Sequence, residues 1–203
     1  MFITLEGPEG SGKSTQLQRL QTRLEAAGHT VVALREPGGT ELGEAIRNLL
    51  KTRAMCAEAE LLLFAASRAQ LVREVIEPAL DAGKVVLCDR FLDSTTVYQG
   101  AARALPAESV ERVSTVAASD CRPSLTLVLD LPVAESFRRI EARGELDRFE
   151  QAGQAFHEAV RRGYHELAAR EPERVRLLDG QQSADTLEAA IWEHVCEHLN
   201  RPD

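Results

Sequence analysis

The sequence predicts an α/β fold in which a five-stranded parallel sheet is flanked by helices on both faces. Five short apolar runs, rich in β-branched residues, alternate with longer segments of helical periodicity. This alternation is typical of parallel sheets whose strands are joined by helices. The length of 203 residues suits one domain at roughly 150 residues per domain. We therefore expect a single domain over residues 1–203.

The elements follow the chain in a regular order. Strands are predicted at Phe2–Leu5, Thr30–Leu34, Lys84–Cys88, Leu125–Leu131 and Arg174–Leu178. Helices are predicted over Lys13–Ala27, Thr40–Leu50, Glu58–Leu80 (with a bend or break near Pro78), Ser94–Ala102, Pro106–Ala118, and Val133–Arg170 on either side of a polar interruption. The interruption, Gly144–Gly153, is interpreted as part of a short lid over about residues 143–153. A last helix begins at an N-cap near Ser183.

Composition limits the partners that the protein can have. The formal net charge is −8 and the sequence pI about 5.3, so the chain lacks the basic excess that binds nucleic acid polymers or anionic membranes. No run approaches the roughly 20 apolar residues of a membrane span, and the first residues lack a secretion signal. Four widely spaced cysteines indicate reduced thiols, and we expect a cytoplasmic protein. The five histidines lie outside every motif and are expected at the surface.

The strongest motif follows the first predicted strand. The pattern G-x-x-x-x-G-K-[ST] is complete between an apolar strand and an amphipathic helix, which is the context of a phosphate-binding loop (P-loop). It predicts the P-loop NTPase fold, with ATP bound by Gly7, Pro8, Glu9, Gly10, Ser11, Gly12, Lys13, Ser14 and Thr15. In such a loop the lysine neutralises β/γ-phosphate charge and the serine hydroxyl ligates Mg²⁺, the expected cofactor.

A second candidate site lies where the third predicted strand ends. The carboxyl ends of parallel strands border the ligand crevice, so Asp89 and Arg90 are expected to face the phosphates. Asp89 is a candidate for holding Mg²⁺ through water, and Arg90 for clamping the phosphate of an acceptor. The alternative is an ion pair that closes the strand. A GTPase switch is disfavoured, because no guanine-specific motif follows the fourth or fifth strand.

Several further segments give the chain a family resemblance. They are Glu6–Thr15, Arg35–Thr40, Leu63–Arg68, Asp89–Phe91 with Ser94, Tyr98 and Gln99, and Arg143–Glu150. In this order and spacing the segments resemble the thymidylate kinases of bacteria along nearly the whole chain. The resemblance implies that ATP phosphorylates dTMP to dTDP for dTTP biosynthesis, on a five-stranded parallel sheet and in a homodimer.

The resemblance also implies a set of dTMP-binding residues: Glu9, Glu36, Phe64, Arg68, Arg90, Ser94, Thr95, Tyr98 and Gln99. Phe64 would stack on thymine and Arg68 would bond a thymine carbonyl, and their spacing of four places both on one helix face. From spacing alone, a core phenylalanine with a surface arginine would be favoured. Glu9 would be aimed at the sugar 3′-hydroxyl, and Tyr98 would crowd the 2′ position. The Glu36–Pro37 bond is cis in the family.

The lid is implied to supply a catalytic arginine, because the P-loop carries Gly10 where some members have one. The resemblance assigns this role to Arg143 and Arg148, which would join Lys13, Asp89 and Arg90 as catalytic residues. Arginines there can stabilise the transferring phosphoryl group. For Arg138 and Arg139 a solvated helix face paired with acidic neighbours is the favoured interpretation.

Two other functions remain open at this stage. The chain could phosphorylate another deoxynucleoside or nucleoside monophosphate, and for a deoxynucleoside Glu36 could act as the general base. Less favoured is an ATP-bound regulatory switch with no acceptor.

Overall fold

The computed structural model describes residues 1–142, 144, 148–149 and 151–199. Five parallel strands form one sheet in the order β2-β3-β1-β4-β5. The strands are β1 (Phe2–Glu6), β2 (Val31–Arg35), β3 (Val85–Asp89), β4 (Leu125–Asp130) and β5 (Val175–Asp179). This confirms the predicted α/β fold with its five-stranded parallel sheet.

Helices join the strands and cover both faces of the sheet. They are α1 (Lys13–Ala26), α2 (Glu41–Thr52), α3 (Ala57–Leu71), α4 (Glu77–Asp81), α5 (Leu92–Thr95), α6 (Ala107–Ala118), α7 (Val133–Glu141), α8 (Gln154–Arg170) and α9 (Ala184–Leu199). Two π-helical segments, Val72–Ile76 and Thr96–Ala102, follow α3 and α5. The prediction of one domain with a lid over about residues 143–153 stays a prediction.

The core is divided between the two faces because side chains alternate along a strand. From β1, Ile3 and Leu5 point to the layer that α1 and α9 cover, where Leu24 and Ile191 are also buried. Phe2 points to the opposite layer, together with residues of the segment from α3 to α6. The central strands β1, β3 and β4 are covered on both faces and read as nearly continuous apolar runs, whereas the edge strands β2 and β5 are partly exposed.

The segment predicted as one helix over Glu58–Leu80 is divided in the structure. It consists of α3, the π-helical segment Val72–Ile76 and α4. Proline has no N–H to donate, and its ring crowds the carbonyl one turn earlier, so Pro78 does not fit a regular helix. The wider π-helical turn lies directly before it, which places the irregularity N-terminal to Pro78.

Two helix starts can be compared with the sequence. Ser183 is the predicted N-cap of α9, and its Oγ accepts a hydrogen bond from the Thr186 N–H at 3.2 Å. The helix predicted from Ser94 begins two residues earlier, at Leu92, and becomes π-helical from Thr96. That irregular helix follows β3 directly, so its side chains lie at the carboxyl edge of the sheet.

Candidate active site

The P-loop connects β1 to α1 at the centre of the carboxyl edge. Gly7, Gly10 and Gly12 have φ angles of 131°, 73° and 94°, in the region that favours glycine. A Cβ on Gly7 would lie 2.5 Å from the Leu129 carbonyl oxygen, so only glycine lets the loop pass this close to β4. The sequence pattern therefore reflects the packing of the loop against the sheet.

Lys13 lies inside the loop and is 8% exposed. Its Nζ donates to the carbonyl oxygens of Gly7 at 3.1 Å and Pro8 at 2.8 Å. Burial lowers the pKa of Lys13 to about 8, and the charge of Arg90 acts in the same direction, while nearby carboxylates oppose it. The ammonium is thus held by groups that a phosphate can replace.

The two residues predicted to hold magnesium lie together. Ser14 Oγ donates to Asp89 Oδ2 at 2.9 Å, joining the start of α1 to the end of β3. A hydroxyl and a carboxylate are the oxygen donors that Mg²⁺ prefers. Among the described residues no group of three or more His, Cys, Asp or Glu side chains forms a metal site.

A cavity of about 460 Å³ opens beside the P-loop. It brings together most of the predicted site residues: Glu9, Gly10, Gly12, Lys13, Ser14, Thr15, Glu36, Phe64, Asp89, Arg90, Ser94, Thr95, Tyr98 and Gln99. Gly7, Pro8, Ser11, Arg68 and Arg148 do not line it. The P-loop and the predicted acceptor residues therefore share one crevice.

Arg90 is the centre of a cluster between the two sides of this cavity. Its Nη2 donates to Glu9 Oε1 at 2.9 Å, and its guanidinium lies 4.9 Å from the Tyr98 ring centre. The Tyr98 hydroxyl is 3.0 and 3.1 Å from the two Glu9 oxygens. Burial alone would raise the pKa of Glu9, but the charges of Arg90 and Lys13 outweigh it, and the pKa is lowered. Glu9 is thus a carboxylate held by the Arg90 guanidinium and the Tyr98 hydroxyl.

Glu6, at the end of β1, is completely buried and stabilises the residues around this cluster. Its carboxylate accepts hydrogen bonds from the Phe91 N–H at 2.7 Å, the Ser94 hydroxyl at 2.6 Å and the Tyr164 hydroxyl at 2.8 Å. Burial, reinforced by the charge of Asp93, raises the pKa of Glu6. Its role as an anchor was not deduced from the sequence, although a glutamate ending an apolar strand is a visible signal.

Arg68 and Glu36 form a buried ion pair beside the cavity. Arg68 donates through Nε and Nη2 to Glu36 Oε2 at 2.9 and 2.6 Å, and through Nη1 to Thr95 Oγ1 at 3.0 Å. Its side chain is 1% exposed, so it is not the surface arginine that spacing alone favours. Its predicted bond to a thymine carbonyl is untested and stays a prediction. The Glu36–Pro37 bond is cis.

The predicted base site is organised by a residue that sequence reasoning missed. Glu60, on α3, is 1% exposed and accepts from Gln99 Nε2 at 2.8 Å. The same carboxylate binds Arg148 Nη2 at 2.6 Å and contacts Arg103 at 3.3 Å. Phe64 lies beside this group on α3. Glu60 stands at the start of the apolar run of α3, and a buried glutamate there is the only signal that the sequence offers.

Of the two predicted lid arginines, only Arg148 belongs to the described residues. Arg143 lies outside the described residues. Arg148 Nε donates to the Leu50 carbonyl oxygen at 3.0 Å and its guanidinium lies 4.6 Å from the Phe149 ring centre, on the base side of the cavity. The Phe149 ring is 5.9 Å from that of Phe64. The described contacts of Arg148 are thus with the base site, and its predicted catalytic role stays a prediction.

Arg138 matches its expectation, whereas Arg139 and His157 depart from theirs. Arg138 is 70% exposed and pairs with Glu135, as the solvated-face interpretation predicts. Arg139 pairs with the same glutamate but also reaches the Gly10 carbonyl oxygen at 3.3 Å and lines the cavity.

The expectation that the histidines lie at the surface is wrong for His157, which is 1% exposed. It packs against Phe137 because α8 folds back over α7 behind the P-loop.

Among the described residues, no helix combines the length and the apolar character needed to span a membrane.

A P-loop, a serine–aspartate pair beside it and a cavity that continues past the loop are typical of a P-loop phosphotransferase. A family model described as thymidylate kinase matches residues 5–191. Similar proteins include the thymidylate kinases of Deinococcus radiodurans, 50% identical over 97% of both chains, and Pseudomonas putida (strain W619), 53% identical over 94% of both. The crystal structure of thymidylate kinase from Ehrlichia chaffeensis has a TM-score of 0.80 at 30% identity and covers 97% of this chain and 98% of that one. The chain belongs to the thymidylate kinase family.

Proposed function

We propose that the chain transfers the γ-phosphoryl group of ATP to dTMP, giving ADP and dTDP for dTTP synthesis, at the cavity beside the P-loop. The observation that carries this is the single crevice in which Lys13, Arg90 and Phe64 all line the wall. A donor phosphate site, an acceptor phosphate site and an aromatic surface for a base thus belong to one space.

The P-loop holds the donor. Its glycines expose backbone N–H groups to the β- and γ-phosphates, and the first turn of α1 adds the positive end of the helix dipole. Lys13 exchanges the carbonyl oxygens of Gly7 and Pro8 for phosphate oxygens. Ser14 and Asp89 would hold Mg²⁺, which when bound would offset the negative charge of the phosphates.

Arg90 and its neighbours hold the acceptor. Arg90 binds the dTMP phosphate, Glu9 faces the 3′-hydroxyl, and Tyr98 closes the space where a ribose would carry its 2′-hydroxyl. Phe64 stacks on the base. Gln99 meets the base edge with its amide oxygen, because its amide nitrogen donates to Glu60.

The attacking oxygen needs no general base. A phosphate monoester with its second pKa near 6 is largely dianionic at neutral pH, so it carries a nucleophilic oxygen already. The main barrier is the approach of two polyanions. Lys13, Arg90 and the lid arginines Arg143 and Arg148 supply the opposing positive charge, and the cavity walls orient the substrates in line. The five histidines have no proton-transfer role.

The proposal includes a homodimer in the cytoplasm. Leu42, Leu49, Leu62 and Val116 are exposed on α2, α3 and α6, and α3 packs against both other helices. Exposed apolar side chains on neighbouring helices are typical of a subunit interface. The four cysteines are free, in keeping with a reducing compartment. Light scattering should give twice the 22.3 kDa of one chain.

Release of ADP across a panel of acceptors tests the activity. We expect release that depends on dTMP, falls with dCMP and dGMP, and stays near background with thymidine or with no acceptor. A faster reaction with thymidine would make the protein a deoxynucleoside kinase. Release that is independent of any acceptor would make it an ATPase or a switch. Either result would overturn the proposal.

A further inference from the structure

His157, in the first turn of α8, is a buried polar residue with no role in the site described so far. It is 1% exposed, and neither of its ring nitrogens has a hydrogen-bond partner among the described residues. The rings of Phe137 and Phe156 lie 4.9 and 5.5 Å away, both edge-on to it. Leaving a buried polar group unpaired is unfavourable for folding, so an apolar side chain would suit this environment better.

The imidazole is directed at the P-loop glutamate. His157 Nδ1 lies 3.8 Å from Glu9 Oε2, which is about 1 Å beyond hydrogen-bond distance. In the structure Glu9 already has two partners, Arg90 Nη2 at 2.9 Å and the Tyr98 hydroxyl. The histidine therefore lies next to a carboxylate that takes its hydrogen bonds from Arg90 and Tyr98.

Binding of the acceptor changes which groups donate to Glu9, if Arg90 clamps the acceptor phosphate as proposed above. A dianionic phosphate competes with Glu9 for the same guanidinium, because both accept charge-assisted hydrogen bonds from it. Glu9, whose side chain is 14% exposed, would then lose a strong partner in a partly buried cluster. A carboxylate in that position needs another donor.

We propose that His157 is a positioning residue that takes hold of Glu9 through its Nδ1–H when the acceptor phosphate draws Arg90 away. A shift of about 1 Å closes the gap to a normal hydrogen bond. His157 does not touch a substrate. It keeps the Glu9 carboxylate aimed at the acceptor sugar during the part of the cycle in which Arg90 is occupied.

Three substitutions at His157 separate this role from simple packing. His157→Asn keeps an N–H near the position of Nδ1, His157→Gln moves it to the position of Nε2, and His157→Leu has no donor. Asparagine is the smallest of the three, so a role in packing alone makes His157→Asn the most damaging variant. The positioning role makes it the least damaging for activity.

Steady-state kinetics with dTMP and ATP varied in turn give the comparison. We expect His157→Gln and His157→Leu to raise the KM for dTMP about tenfold, the effect of losing one hydrogen bond to a charged group. His157→Asn should stay within about threefold of the wild type, and the KM for ATP should change little in all three. The Tm of unliganded His157→Leu should be no lower than that of the wild type.

Other results would overturn the proposal. Equal dTMP kinetics in all three variants would mean that the imidazole is not used. Losses that follow the drop in Tm, with His157→Asn the worst, would mean that it only fills space. A dTMP-dependent enzyme with either outcome would still have the proposed function, so the two ideas fail separately.

A measurement on the wild-type protein covers the case in which a variant does not fold. In protein labelled with ¹⁵N-histidine, saturating dTMP should move the Nδ1 resonance of His157 toward that of a hydrogen-bonded N–H. Thymidine at the same concentration, which lacks the phosphate that competes for Arg90, serves as the control and should leave the resonance in place. A ring that responds to neither ligand, or whose Nε2 responds in place of Nδ1, would contradict the proposal.

Discussion

The donor and acceptor halves of the cavity are built by different means. The donor half is one continuous segment, Gly7–Thr15, in which backbone geometry does most of the binding and Lys13 bonds only to carbonyl and hydroxyl oxygens of its own loop. The acceptor half takes side chains from six separate elements, and carboxylates hold several of them: Glu6 bonds Ser94, Glu9 bonds Arg90, Glu36 bonds Arg68 and Glu60 bonds Gln99. A local site can lose a side chain without losing its shape, whereas a dispersed site depends on every anchor.

The largest expected effect is on the donor half. Lys13→Ala should lower kcat about 10²–10³-fold, because it removes a positive charge from the transferring phosphoryl group. The Tm should change little, since Lys13 connects no other element. Lys84→Ala, which alters a lysine before β3 at the opposite edge, should retain wild-type activity. Near-normal dTDP formation by Lys13→Ala would contradict the donor assignment.

The acceptor half should respond in stability as well as activity. Arg68→Met leaves Glu36 as an unpaired buried carboxylate and should lower the free energy of unfolding by about 3–5 kcal/mol, measured by urea denaturation. The double variant Arg68→Met/Glu36→Gln should regain part of that loss. Arg138→Met removes an exposed pair with Glu135 and should leave the free energy of unfolding nearly unchanged. Equal losses in the free energy of unfolding for Arg68→Met and Arg138→Met would contradict the idea that the acceptor half depends on its buried ion pair.

Two substitutions of Tyr98 distinguish the effect of its ring, which fills the space beside the sugar, from the effect of its hydroxyl, which binds Glu9. Tyr98→Ala opens the space beside the sugar and should lower the preference for dTMP over its ribonucleotide about 10- to 100-fold in kcat/KM. Tyr98→Phe removes only the hydroxyl that binds Glu9, so it should raise the KM for dTMP while keeping the preference. Competition assays with both acceptors would distinguish the two. Unchanged preference in Tyr98→Ala would remove the residue from that role.

The smallest effect concerns the attachment of α8, which carries His157 and Tyr164, to the end of β4. Asp130 accepts from Arg161 at 2.8 Å through both oxygens. Burial alone would raise the pKa of Asp130, but hydrogen bonds from Arg161 and His165 outweigh it, and the pKa is lowered. A lowered pKa stabilises the fold above the unfolded value of about 3.9 and loses that effect as pH falls below it.

Asp130→Asn should therefore lower the free energy of unfolding by about 1–2 kcal/mol at pH 7. The difference from the wild type should begin to shrink as the pH falls below about 3.9, because the unfolded wild-type chain then takes up a proton at Asp130 while the folded protein does so only at lower pH. Denaturation curves at several pH values would measure it. A difference that does not change with pH would mean that shape, not charge, sets the contribution of Asp130.

The two halves also differ in how far the sequence predicts them. The P-loop is contiguous, and its glycines are required by φ angles and by the close approach of Leu129, so its pattern predicts its structure. The central strands β1, β3 and β4 were predictable because burial on both faces makes them apolar over most of their length. The edge strands β2 and β5 are partly exposed, and their valine and leucine residues were the signal.

The acceptor residues were predicted through the family resemblance, but their partners were not. Nothing in the spacing of Glu60 and Gln99, 39 positions apart, tells that one orients the other. The same holds for the burial of His157, which depends on how α8 folds back over α7. Such pairs are set by tertiary packing, so they become visible only when the elements are assembled.

The shared carboxylate of Glu60 has a consequence for protein engineering. One oxygen orients the amide of Gln99 and the other binds Arg148. Redesigning the base preference at Gln99 would alter the charge balance that holds the arginine, and redesigning the arginine would loosen the amide. A single substitution made to admit a new acceptor would therefore disturb either the orientation of the Gln99 amide or the binding of Arg148. Successful variants should carry paired changes on α3 and on the segment around Arg148.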